Sequence, residues 1–395
     1  MSYNWGAIVP LIGGLTVGNY QATKQKPNFF ISFDAFKDND AHILNYFGKD
    51  CTYISGTPEN INIDEIDLPD YGDVDFMSTT CPCAGLSSLN SGNRGSDAPQ
   101  NDWMLLTANL VLSKIKPKVF FGENAPALFT KSGEGVKNKL IEVGKKYGYT
   151  FSIIKTDSRL HGLPQRRQRT FYFFWRDTNP PIFKHIERPY TPLIEYLRDI
   201  PKDATYQNLY SNNDYSSNLL VAWINENQIA NDIKKIFTNE GKIIKTLFHY
   251  IKRKNKFDEL KEYCKDDKRL VDMLLHIQHK LSIGKNIWDN TPKLLFAVDY
   301  INAIQGRIFQ HTIHPIENRY INIREYMHLM ALPYDFELVS TSNLNHICQN
   351  VPVTTAKDWT DQVLQYLNGE LDINENDYYE FNNIKDNIHK QAKLF

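Results

Sequence analysis

Short apolar runs alternate with amphipathic stretches through the first 176 residues. Gly6–Val9 is a buried strand pattern, followed by a glycine turn and a helix to about Lys24. Phe29–Phe33 predicts a second strand that ends at Asp34, and Asp38–Phe47 a helix. Val74–Ser78 is a third strand. Trp103–Ile115 is helical, with Leu105, Asn109 and Leu112 along one side. Val119–Gly122 predicts a strand, Gly135–Lys146 a helix and Thr170–Trp175 an aromatic strand. Strands that alternate with helices build a doubly wound α/β sheet. Such sheets bind ligands at the carboxyl ends of their strands, so chemistry is expected in the loops after Val9, Asp34, Ser78 and Gly122.

The rhythm stops after Arg176. Pro180, Pro181, Pro189 and Pro192 mark a boundary. Tyr206–Asn218 is polar, and Glu240–Lys285 carries 12 Lys/Arg against 7 Asp/Glu. Leu270, Met273, Leu274 and Ile277 follow the i, i+3, i+4, i+7 spacing of an amphipathic helix. This reads as an inserted second domain. Helices at Ile323–Leu332 and Thr354–Leu367 follow, and the residues from Gly369 have the acidic, Asn-rich composition of a mobile tail.

Composition narrows the classes. The 395 residues are 42% hydrophobic and 13% aromatic, which excludes a mostly disordered chain. A net charge of −1 excludes a globally basic nucleic-acid coat but leaves room for a local basic patch. Five cysteines are too few for a disulfide framework in a chain this long, which points to a reducing compartment. No apolar run approaches the ~20 residues of a membrane helix. The apolar start Ala7–Leu15 lacks a basic flank and is broken by Pro10, Gly13 and Gly14, so it is read as strand and turn rather than a signal peptide. The expected location is the cytoplasm.

Three clusters carry candidate chemistry. Thr79-Thr80-Cys81-Pro82-Cys83-Ala84-Gly85-Leu86-Ser87 follows a strand, where a cysteine is placed to act as a nucleophile. A buried structural thiol, or a Cys-x-Cys redox pair, fits the same residues. Cys51, Cys264 and Cys348 are isolated, so no metal cage is expected. Phe120-Phe121-Gly122-Glu123-Asn124 runs an apolar strand into a carboxyl group, an environment that raises its pKa and lets it donate a proton. Seen alone, a helix-capping or turn Glu-Asn pair is the better reading there. Gln165-Arg166-Arg167-Gln168-Arg169 precedes a strand whose alternation puts Arg167 and Arg169 on one side, suited to phosphate or carbonyl recognition. A solvated basic turn is the bland alternative.

The order of these clusters resembles the DNA (cytosine-5) methyltransferase family, whose signatures are Pro-Cys-x-x-x-Ser, Glu-Asn-Val and Gln-x-Arg-x-Arg. Here they stand as Pro82-Cys83 with Ser87, Glu123-Asn124 and Gln165 through Arg169. Ile12-Gly13-Gly14-Leu15 is similar to the family's first glycine motif, and Asp34 takes the place of its acidic residue after the second strand. Arg324-Glu325 with Leu332-Pro333, and Asn350-Val351-Pro352, are similar to its last motifs. The resemblance covers 6–176 and about 311–367. It implies a Rossmann-like methyltransferase sheet in 1–177, a smaller inserted target-recognition domain in 178–310, and a return to the catalytic domain in 311–395.

The resemblance also implies a mechanism. Cys83 would attack C6 of a flipped-out cytosine, Glu123 would protonate N3, and Arg167 and Arg169 would hold the base O2 and nearby phosphate. Ser87, Asn124 and Gln165 would line the substrate. S-adenosylmethionine would lie against Leu11, Gly13, Gly14, Leu15, Asp34, Ala35, Asn60, Ile61, Pro82, Gln349, Asn350 and Val351, with Asp34 on the ribose hydroxyls. Duplex DNA is the implied partner, with no membrane and no obligate protein partner, the enzyme working as a monomer. A modification enzyme of a bacterial or phage restriction system fits this family.

Departures from the family pattern are specific. Its Phe-x-Gly-x-Gly aligns with Val9-Pro10-Leu11-Ile12-Gly13, so the adenine-stacking ring is missing and the first glycine is Leu11. In the last motif either Gln349 or Asn350 takes the usual Asn position. A silent DNA-binding relative, an RNA-directed methyltransferase and a thiol-redox protein are the competing readings. The basic run Lys252-Arg253-Lys254-Asn255-Lys256 fits a phosphate backbone or a solvated helix face. Tyr206, Tyr210 and Tyr215 fit stacking or packing, Trp223 packing, and His311 and His314 a core or loop role.

Overall fold

The computed structural model describes residues 2–82, 85–86, 95–207, 215–240, 247–285, 287, 293–294, 300–304, 312–340 and 345–384. The chain divides into two compact units. The first comprises Met1–Tyr190, Met330–Ser340 and Asn350–Phe395, and the second Thr191–Leu329 and Thr341–Gln349.

The first unit is built on β1 (Trp5–Ile8), β2 (Phe29–Phe33), β3 (Thr52–Ile54), β4 (Phe76–Thr79), β5 (Val119–Asn124), β6 (Tyr149–Asp157), β7 (Gln165–Arg166) and β8 (Gln168–Arg176). Helices α1 (Gly14–Thr23), α2 (Lys37–Phe47), α3 (Asp102–Leu110) and α4 (Glu134–Lys146) alternate with them. The main sheet runs in the order Tyr378–Asn382, β6, β8, β5, β4, β1, β2, β3. β8 is antiparallel to both neighbours, and the other pairs are parallel.

The central strands β4 and β5 are buried along their whole length, as expected for a sheet covered on both faces. Successive side chains of β8 go to opposite cores. Phe171, Phe173 and Trp175 join Phe76, Val119 and Phe121 on one face. Tyr172 and Phe174 join Met77, Phe120 and Phe151 on the other. Phe121 stacks on its cross-strand partner Phe173 at 5.4 Å, and each such buried ring contributes about 1.5–3 kcal/mol. On the first face α1 packs against the helix Val353–Leu367 so closely that a Cβ on Gly18 would lie 2.5 Å from that of Ala356. Asn19 ties this pair to the sheet. Its amide donates to Ser78 Oγ at 2.7 Å and its carbonyl accepts from Thr360 Oγ1 at 2.7 Å.

Three strands of the main sheet differ from the sequence reading. β3 and β6 had no counterpart there, and Tyr378–Asn382 turns part of the expected tail into the sheet's edge strand. The helix from Asp102 ends at Leu110 and continues as a wider π-type turn, Val111–Ile115.

The second unit is helical. Its helices include Tyr215–Glu226, Ile229–Glu240, Leu247–Arg253, Phe257–Tyr263 and Lys268–Ser282. Leu270, Leu274, Ile277 and Leu281 form the buried stripe of the last of these, against a core containing Trp223, Ile233, Phe248 and Leu260. Asp267 caps it, accepting from Leu270 N at 2.9 Å. The helix Ile323–Leu329 starts with a reciprocal cap: Glu325 N donates to Asn322 Oδ1 and Asn322 N to Glu325 Oε2, both at 2.8 Å. No helix among the described residues is long and apolar enough to cross a membrane.

Candidate active site

The carboxyl ends of β1, β2, β4 and β5 lie along one edge of the sheet. Because β8 is antiparallel, its first residues reach the same edge. The register pairs Glu123 with Phe171 and Asn124 with Thr170. Arg169 Nε therefore approaches Glu123 Oε1 at 2.7 Å, in an ion pair whose N–H is not aligned as a hydrogen bond. Glu123 is buried, and burial raises its carboxyl pKa against the pull of the Arg169 and Arg167 charges. Arg167 is itself buried and donates through Nη2 to the Asn350 carbonyl at 2.9 Å. Asn124 holds the neighbouring loop: its Nδ2 donates to the Cys81 carbonyl at 3.5 Å, and its Oδ1 accepts from Ala125 N at 2.8 Å. Gln165 is buried with its amide 3.8 Å from Met330 Sδ.

The loop after β4 leads into Pro82, which is partly buried. Cys83 and Ser87 lie outside the described residues. Cys81 is a buried free thiol beside Thr79 and Thr107, and burial pushes its pKa up. That environment suits an inert structural thiol rather than a redox partner. Among the described residues no group of three or more His, Cys, Asp or Glu could hold a metal ion.

The loop after β1 is strained. Val9 and Leu11 have φ of 48° and 52°, left-handed values that cost an L-residue about 1–2 kcal/mol each. Gly13, at φ 94°, sits where a Cβ would fall 2.3 Å from Ile43. At Gly14 a Cβ would meet the Val351 carbonyl at 2.0 Å and Asn350 Oδ1 at 2.2 Å. Gly14 N instead donates to Asn350 Oδ1 at 2.7 Å. Asn350 is buried and Gln349 exposed, so Asn350 is the residue that meets the glycine loop. Leu15 and Val351 are core residues of the same face.

Asp34, at the end of β2, is partly exposed. Lys37 Nζ lies 2.7 Å from its Oδ1 and Ser55 Oγ donates to its Oδ2, so its pKa is lowered. Ala35 is exposed. Asn60 closes its own turn, accepting from Thr57 N at 2.7 Å, and Ile61 packs on the core. Phe36 and Trp103 stand edge-to-face at 5.0 Å beside this strand end.

Two groups of residues were not singled out in the sequence. Asp40 is fully buried on the α2 face that carries Ile43 and Phe47, and its Oδ1 accepts from Leu11 N at 2.9 Å. An acid at i with apolar residues at i+3 and i+7 was the available signal. The second group is Thr156, His161 and Asp358. Thr156 Oγ1 lies 2.7 Å from His161 Nε2, and His161 Nδ1 lies 2.9 Å from Asp358 Oδ2. The geometry is that of a catalytic triad, but all three residues are buried. Arg188 also pairs with Asp358. Burial first, then the Arg188 charge, lowers the His161 pKa to about 3 and keeps the ring neutral. The group lies beside the arginine loop: Thr156 pairs with Arg169 across the sheet, and the neighbouring Ser158 N and Oγ donate to the Arg167 carbonyl at 3.1 and 3.2 Å.

In the second unit much of the basic run is occupied. Lys252 Nζ donates to the Leu281 carbonyl at 2.7 Å, Lys254 pairs with Asp232 at 3.4 Å, and Lys256 donates to Asn227 at 2.9 Å. Lys256 also lies over the ring of buried Trp223. Tyr206 packs under Arg324, and His314 is buried near Glu325. Tyr210 and His311 lie outside the described residues, as does the Tyr215 side chain.

The model of the C-5 cytosine-specific DNA methylase family matches residues 11–365. The chain is 33% identical over 139 residues to the Type II methyltransferase M.DdeI of Desulfomicrobium norvegicum, covering 33% of each protein. It is 28% identical over 137 residues to the Type II methyltransferase M.NgoBI of Neisseria gonorrhoeae, covering 35% of this chain and 42% of that protein. These alignments thus span less than half of the relatives' own lengths. The methyltransferase EhMeth of Entamoeba histolytica has a similar fold, with a TM-score of 0.57 at 12% identity over 93% of this chain and 99% of that one.

Proposed function

Since the chain belongs to the C-5 cytosine-specific DNA methylase family, we propose that it methylates C5 of a cytosine in duplex DNA with S-adenosylmethionine as donor. The observation that carries this reading is the buried Glu123 carboxyl, raised in pKa and flanked by Arg169 and Arg167 at the strand ends.

The residues of the glycine loop fit the donor. Asp34 remains a carboxylate and has lone pairs left for a ribose diol beside Lys37 and Ser55. Asn350 Nδ2 is a buried donor with no hydrogen-bond partner among the described residues. Bound S-adenosylmethionine supplies an electrophilic methyl group. Gly13, Gly14, Asp34 and Asn350 would hold it, with Phe36 and Trp103 offering the aromatic surface that Val9 lacks.

The protein residues divide the remaining work. The Cys83 thiolate forms a bond to C6, which pushes electron density toward C5. Glu123 delivers its proton to N3 in that step, so no anion builds up on the ring. Arg169 leaves Glu123 for the base O2, while Arg167 stays fixed through Asn350. After C5 is methylated, its proton passes to water, the Cys83 thiolate departs and the N3 proton returns to Glu123, which restores the aromatic ring and the resting enzyme. The base must leave the duplex for this attack. The second unit is the proposed reader of the DNA sequence, and the Type II names of the relatives support a modification role beside a restriction enzyme.

The test is incubation with labelled S-adenosylmethionine and mixed-sequence duplex DNA or transfer RNA, then mass spectrometry of the nucleosides. 5-Methylcytosine from DNA that disappears with Cys83→Ala is expected. Label on RNA alone, or on another base atom, would replace this reading.

A further inference from the structure

We propose that Asp40 is a positioning residue of the donor site: its carboxyl group holds the Val9–Gly13 loop in the backbone shape that glycine adopts freely, and thereby sets the affinity for S-adenosylmethionine. The proposal rests on the methyl-transfer reading.

Leu11 stands where the family pattern has glycine, yet keeps a left-handed φ of 52°. Such a conformation persists in an L-residue only when its surroundings over-determine it. The surroundings here are α2. Asp40 Oδ1 accepts from Leu11 N at 2.9 Å, and one helical turn on, Ile43 lies directly beneath Gly13. Asp40 has no solvent exposure, and a carboxyl group in a core-facing position is costly unless it is used. Its other oxygen is 3.5 Å from the Tyr53 hydroxyl. Lys37 lies over the Tyr53 ring and pairs with Asp34. One chain of contacts therefore joins the loop clamp to the acid proposed to hold the ribose.

The experiment is calorimetric titration of S-adenosylmethionine into the full chain, with amide exchange of residues 9–14 and melting curves alongside. Asp40→Leu removes the acceptor but keeps apolar packing, with Asp40→Ala in its place if leucine is not accommodated. It should weaken binding about tenfold and speed exchange at Leu11, as expected for loss of a hydrogen bond to a buried amide. Asp40→Asn keeps an acceptor and should stay within about threefold of wild type. Adding Leu11→Gly to Asp40→Leu should recover most of the loss, because glycine needs no clamp at this φ. Unchanged affinity in Asp40→Leu overturns the proposal, as does a loss that Leu11→Gly does not relieve. A wild type that binds no S-adenosylmethionine instead overturns the methyl-transfer reading, and the affinity claim with it.

Discussion

Glu123 and Arg169 come within 2.7 Å because β5 ends where the antiparallel β8 begins. In the proposed reaction an incoming base would take Arg169 away from the acid and leave Glu123 to donate. Glu123→Gln keeps the shape and removes the transferable proton. Its kcat should fall by roughly 10²–10⁴, with S-adenosylmethionine binding by calorimetry little changed. Because burial raises the Glu123 pKa, the proton is present on the acid side and is lost as pH rises. The wild-type rate should therefore decline on the alkaline side of that raised value, and a rate profile checks the direction.

Asp40 makes a second pH-dependent prediction. Burial lifts its carboxyl from 3.8 to about 7, against the lowering effect of its hydrogen bonds. Tyr53 and Cys51 are its ionisable neighbours. A raised carboxyl pKa gives stability that is complete below the unfolded value and lost as pH climbs through the folded one. Asp40→Asn, which never ionises, should match wild type near pH 4 and become progressively more stable than it up to pH 8, by a few kcal/mol at most. Urea melts at several pH values read this directly.

His161 has the opposite sign. Its pKa is depressed to about 3, so its contribution is present above the unfolded pKa of about 6.5 and drains away as pH falls toward 3. Near pH 5 the loss should be about 2 kcal/mol. His161→Gln should flatten that acid limb. It should also lower kcat more than it changes the KM for S-adenosylmethionine, since the ring holds Thr156, the cross-strand partner of Arg169.

Gly14→Ala would push a methyl group against the Val351 carbonyl, a backbone atom that cannot swing aside. Overpacking of this kind costs about 1–3 kcal/mol. Loss of stability together with loss of S-adenosylmethionine binding is expected, whereas Gly48→Ala, with nothing within 4 Å, should cost only its left-handed strain.

The sequence made the strand ends legible and left much of their support hidden. Glu123, Asn124, Arg167 and Arg169 stand in short runs whose chemistry is local, and each occupies a strand end or the loop beside one. β6 escaped because both its faces are buried, so Phe151, Ile153 and Ile154 break the period-two alternation. Tyr378–Asn382 escaped because an edge strand among acidic and Asn residues has the composition of a tail. His161 and Asp358 are 197 residues apart, and no spacing rule connects them. Asn350 could be separated from Gln349 only by its burial and its bond to Gly14.

That last bond joins residues 336 positions apart. A ribosome adding roughly 5–20 residues per second would take on the order of 20–70 s to cover the distance. For that time the glycine loop has emerged without the residue that closes it, and β6, once made, waits over 200 residues for its edge partner. Such late pairing has a high loop-closure cost and slows folding. The nascent protein therefore presents an open, aromatic-rich sheet from the completion of β8 until Asn350 and the strand Tyr378–Asn382 emerge, and its exposure to aggregation is concentrated in that interval.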